Sequence, residues 1–65
     1  MEQHTFREWR RLQGKSQESV ARALGISTTT LRLKEKGLRP FNENEIDPLL
    51  KIYGITYEQV TKRLF

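Results

Sequence analysis

SQESVARALGISTTTLRLKEKG, residues 16–37, reads as two short helices joined by a sharp turn, the second of them basic, and the rest of the chain is arranged around it. Ser16 can accept a hydrogen bond from a free backbone N–H of a helix start. Val20, Ala21 and Leu24 then fall three and four apart, which is one apolar stripe on about two helical turns. Gly25 follows at once, the residue type that enters the left-handed region without a Cβ clash. Ser27 is placed to cap the next helix. Ile26 before that cap and Leu31 four residues after it have the spacing of a hydrophobic staple. Ala21, four residues before Gly25, is small enough to let the second helix cross close to the first.

Outside this stretch the chain offers three more helical segments. Thr5 and Glu8 have capping-box spacing, and Phe6 and Trp9 supply the buried face of a helix predicted over Phe6–Gln13 and ended by Gly14. Residues 1–4 carry no periodic signal and are expected to form a loose end, with His4 a solvated terminal side chain. After the connector 38–42, Ile46, Leu49, Leu50 and Ile52 give an apolar face that stops at Gly54. Proline is tolerated in a helix's first turn, so Pro48 places the start of this helix between Asn44 and Pro48. Thr56 with Gln59, and Ile55 with Val60, repeat the capping box and staple for a last helix on which Tyr57, Val60 and Leu64 share a face. The expected fold is all-α, a compact bundle of five short helices forming a single domain over residues 1–65.

Composition narrows the function. The chain has no cysteine and one histidine, His4, which excludes a disulfide framework and an ordinary zinc site, and no cofactor is called for. No apolar run approaches the roughly 18 residues of a membrane span, and the opening residues lack a secretory pattern, so a cytoplasmic setting is expected. Glu8, Glu18, His4 and Ser16 are scattered over caps and surfaces without a nucleophile–base arrangement, so neither catalysis nor a small-molecule substrate is expected. The net charge of +4 is uneven: residues 1–41 carry nine Lys/Arg against four Asp/Glu, and residues 42–65 three against four. A polyanion is the natural partner of the basic part.

Gln17, Ala21, Gly25, Ile26, Leu31, Glu35 and Gly37, preceded by Arg10, resemble the helix-turn-helix DNA-binding domain of phage repressors, phage Cro proteins and their bacterial relatives. The resemblance covers nearly the whole chain. It implies that Gln17 touches a DNA phosphate, that the helix after Ser27 enters the major groove, and that Arg10 pairs with Glu35 as a structural ion pair. It also implies phosphate contact for Arg39 in the connector. Lys15 and Lys34 stand where the family usually has apolar residues, and the segment from the connector to Gly54 is about one residue longer than its pattern.

Together these readings predict a sequence-specific regulator of transcription that binds a double-stranded DNA operator, Cro-like or repressor-like. Thr28, Thr29, Arg32 and Leu33 are the expected base readers, since threonine can bond a base edge or touch a thymine methyl and arginine can grip guanine through two bonds. Gln17, Lys15, Ser27, Lys34, Lys36 and Arg39 are the expected phosphate contacts, with Arg7 and Arg11 adding to non-specific attraction. One such helix reads only a few base pairs, so a homodimer on a palindrome is expected, with Phe41, Tyr57 and Phe65 at its seam. Off DNA the same reading allows a monomer. Phe41 has two readings, tucked under the domain or exposed to a partner. An antitoxin-like or adaptor module that meets a protein through Phe41, Tyr57 and Phe65 is the alternative function.

Overall fold

A computed structural model describes residues 3–61. Four α-helices follow one another, α1 (Phe6–Leu12), α2 (Gln17–Leu24), α3 (Thr28–Glu35) and α4 (Glu43–Tyr53), and a 3-10 turn spans Tyr57–Gln59. Each α-helix starts on a side chain that accepts an orphan N–H: Thr5 from Glu8, Ser16 from Ser19, Ser27 from Thr30 and Asn42 from Glu45. The all-α fold expected from the sequence is present. Its fifth helix is reduced, among the described residues, to the 3-10 turn.

The turn between α2 and α3 is built on Gly25 at φ 74°, with the Ile26 N–H donating to the Ala21 carbonyl at 3.0 Å. A Cβ on Gly25 would meet nothing within 4 Å. Glycine is therefore required here by its backbone conformation and not by crowding. This turn sends α3 across α2, and the two helices pack together while α2 and α1 both rest on α4.

The core consists of Phe6, Val20, Ala21, Leu31, Phe41, Leu49, Tyr53 and Val60. Leu31 and Leu49 lose essentially all contact with solvent, which stabilises the fold by about 1.5–3 kcal/mol for each. Phe41 lies edge-on to Phe6 with ring centroids 5.0 Å apart, so of its two readings the tucked one holds, and the dimer-seam assignment of Phe41 is withdrawn.

Lys34 also turns inward, contrary to its expected place on the DNA-facing surface. It is buried, and its Nζ donates to Glu45 Oε1 at 2.6 Å and to the Pro40 carbonyl at 3.3 Å. Lying three residues after Leu31, it shares that inward face, and the ammonium is matched by a carboxylate from α4. It is thereby removed from the expected phosphate contacts. Glu45 Oε1 also accepts the Asn42 N–H at 3.0 Å, so one oxygen both completes the α4 capping box and holds α3. That box starts α4 at Glu43, ahead of the predicted range, and leaves Pro48 inside the helix.

The chain ends also differ from expectation. His4 forms a parallel bridge with Val60: its N–H donates to the Gln59 carbonyl at 3.1 Å and its carbonyl accepts the Thr61 N–H at 3.0 Å. Trp9 Nε1 donates to the same Gln59 carbonyl at 2.9 Å, and its ring meets the His4 ring edge-on at 5.0 Å. The Gln59 carbonyl, which a continuing helix would need, is thus already occupied, and Val60 is extended. His4 is docked and not loose. Leu64 and Phe65, and the roles expected of them, lie outside the described residues.

Replacing Lys34 with alanine strands a buried carboxylate and is expected to cost about 3–5 kcal/mol in chemical denaturation. The double variant Lys34→Met/Glu45→Gln should recover most of that loss, because no charge stays buried and the glutamine oxygen can still accept from Asn42. Equal losses in both variants would mean that the pair is not what fixes α3 to α4.

Candidate nucleic-acid interface

Glu35, at the end of α3, is held from two helices. Arg10 of α1 donates through Nε to Glu35 Oε2 at 2.9 Å and through Nη2 to Oε1 at 3.2 Å, a two-bond fork. Gln17, the first residue of α2, donates its Nε2 to Glu35 Oε1 at 3.0 Å. Arg10 Nη1 donates to the Lys15 carbonyl at 3.0 Å, which adds the α1–α2 loop. Side-chain exposure is 11% for Arg10 and 1% for Glu35, so the pair works away from water. Its partners fix the angle at which α3 leaves the body of the protein.

That anchoring leaves one face of α3 outward. Leu31, Lys34 and Glu35 are buried, whereas Thr29, Arg32 and Lys36 are exposed and Thr28 and Leu33 half-buried. Thr29, Arg32, Leu33 and Lys36 recur at helical spacing on the side away from Leu31, while Thr28, three residues before Leu31, stands at the margin of that face. Ser27 is exposed, but its Oγ is engaged with Thr30, accepting the N–H at 3.0 Å and donating to Oγ1 at 2.8 Å. Lys15 is half-buried at the edge of this face and Arg39 exposed in the connector beyond it. On the flank toward α1, Arg32 and Lys36 face Arg7 and Arg11 across a cleft of about 410 Å³ floored by Arg10, Gln17 and Glu35.

A helix-turn-helix domain family model matches residues 4–64. The chain belongs to this family. Neither a curated protein nor a solved structure matches it. Family membership supports DNA binding in the service of transcription. Among the described residues, no helix of this helix-turn-helix domain is long and apolar enough to cross a membrane, and no group of His, Cys, Asp and Glu could hold a metal ion.

The site residues expected from sequence are only partly gathered. Thr29, Arg32 and Leu33 share the outward face of the helix-turn-helix domain's α3 with Lys36 at its C-cap, Thr28 stands at the margin of that face, and Arg10 and Glu35 form the expected ion pair. Gln17 turns its amide nitrogen to Glu35, so it braces the pair from α2. Tyr57, at 42% exposure, lies on the 3-10 turn and not among the residues that line the cleft beside α3. Sequence reasoning missed the convergence of Arg7 and Arg11 with Arg32 and Lys36. The available signal was two like-charged pairs, each four residues apart on a predicted helix, an arrangement that destabilises a helix unless an anion is near.

Tyr53 is a core residue whose phenol feels the charges of the Arg10–Glu35 pair. Its hydroxyl is buried without a protein hydrogen-bond partner among the described residues. Burial, and next the negative charge of Glu35, push the phenol above its usual range, while Arg10 pulls the other way. A raised value means that the folded protein keeps a proton that the unfolded chain releases above pH about 10, so this contribution to stability is intact below that pH and lost as pH rises.

Two outcomes follow for the helix-turn-helix domain. Arg10→Ala leaves Glu35 buried and uncompensated and is expected to cost about 3–5 kcal/mol by denaturant titration, with Arg10→Lys recovering only part because the fork is lost. Tyr53→Phe should be near neutral at pH 7 and should flatten the fall in melting temperature above pH about 10. An unchanged alkaline slope would locate that titration elsewhere.

Proposed function

We propose that the chain is a sequence-specific regulator of transcription, Cro-like or repressor-like, that lays α3 in the major groove of double-stranded DNA. The observation carrying this reading is the anchoring of Glu35 by Arg10 and Gln17, which holds α3 with Thr29, Arg32, Leu33 and Lys36 turned outward and Thr28 in the first turn at their edge. Thr28, Thr29, Arg32 and Leu33 are the base readers in this proposal. Lys36, Arg39 and Lys15 neutralise phosphates, joined by Arg7 and Arg11 on α1. Ser27 and Gln17 reach phosphates only to the extent that their side chains leave Thr30 and Glu35.

A helix of this length contacts few base pairs, so two copies about one DNA turn apart on a palindrome would supply the specificity. Tyr57 and Phe65 are the proposed seam of that homodimer, and the cytoplasm its place of action. Placement of Phe41 in the core weighs against the adaptor reading, which needed it as an anchor.

The test is selection of bound duplexes from random DNA, followed by affinity measurements at several salt concentrations. On the selected site, Arg32→Ala should cost roughly 1–3 kcal/mol and relax preference at one base position. Lys36→Ala should weaken all sequences alike and lower the salt slope by about 1. If both variants reduce binding to selected and random duplexes equally, Arg32 is no base reader.

A further inference from the structure

The cleft between α1 and α3 holds the whole charge excess of the protein. Arg7, Arg10, Arg11, Arg32 and Lys36 against Glu35 give +4, which is the net charge of the full chain. The remaining residues therefore balance, seven Lys/Arg against seven Asp/Glu. Arg10 is neutralised by Glu35 on the floor. The other four cations form no ion pair among the described residues, and Arg7 and Arg11 on α1, like Arg32 and the C-cap Lys36 of α3, stand four residues apart, where like charges repel. Such a concave site with a net excess of one sign focuses potential and concentrates small counter-ions. At about 410 Å³ the cleft is also within the size range of ligand sites, roughly 300–1,000 Å³.

We propose that this cleft binds a compact polyphosphate anion, and that such an anion and the duplex exclude one another because Arg32 and Lys36 serve both. The second half rests on the DNA-binding reading above; the first half does not. Phosphate oxygens are the shared chemistry of both ligands. A DNA strand offers one charge per nucleotide, whereas linked phosphates gather several charges in the space that four cations surround. Guanidinium groups from opposite walls suit this chemistry, since each presents a planar fork of donors to phosphate oxygens.

The probe is inorganic tripolyphosphate, titrated calorimetrically into the full chain, with sulfate at matched ionic strength as reference. A stoichiometry of one and binding tighter than sulfate by about tenfold or more are expected, as is a loss of about tenfold or more in the Arg7→Gln/Arg11→Gln variant. Lys51→Gln, a remote cation, should stay within about twofold of the parent. Tripolyphosphate should also displace a labelled duplex at concentrations near its own dissociation constant. Heats no different from those of sulfate, or an unaffected double variant, would overturn the site, even if the duplex binds with the expected salt dependence. Binding of tripolyphosphate without displacement of duplex would overturn the competition. Tripolyphosphate binding by a chain that holds no duplex at any salt would sink the DNA reading and leave the anion site standing.

Discussion

The fork between Arg10 and Glu35 is the constraint on which the rest of the domain depends. A buried ion pair adds little net stability over an apolar contact, because both charges lose water on folding. What it supplies here is direction. Glu35 accepts only from groups that reach it at the right angle, and those groups lie on α1 and at the start of α2. With Leu31 seated in the core one turn earlier, α3 has two fixed points and no freedom to roll. Lys34 with Glu45 adds a third tie, to α4, on the opposite flank. A short helix held in this way presents the same face in every molecule, which is what recognition of a regular duplex requires.

The local signals in the sequence were sufficient for most of the architecture. Side-chain caps at Thr5, Ser16 and Ser27, the staple from Ile26 to Leu31 and the left-handed Gly25 are all written within a few residues of where they act. The ion pair was not legible in this way, since its partners lie 25 residues apart, and only the family resemblance pointed to it. The charge of Lys34 points to solvent, but its place three residues after Leu31 turns it inward. Pro48 points to a start for α4 between Asn44 and Pro48, but the capping-box spacing of Asn42 and Glu45 marks the actual one at Glu43. The last segment carried a valid helix-start signal. What stopped it is a tertiary contact, the bridge from His4 to Val60 with Trp9 bonded to Gln59, that no local pattern encodes.

Charge follows the same division of labour. Groups that build the fold are paired: Arg10 with Glu35, Lys34 with Glu45, and on the surface Arg22 with Glu18. Groups facing outward from α3 and the adjoining side of α1 have no such partners among the described residues and are all positive. The fold thereby keeps its stability largely independent of the cations it offers to a ligand. This separation explains how so small a domain can tolerate a cluster of like charges beside its most important internal bond.

Amide hydrogen exchange on the full chain, with and without a duplex selected for binding, tests the central claim most directly. Slowed exchange and solvent exclusion concentrated in Ser27–Lys36 and the facing side of α1, with α4 unchanged, is the predicted result. Protection confined to α4 and the Tyr57–Gln59 turn, with α3 exchanging as in the free protein, would contradict it.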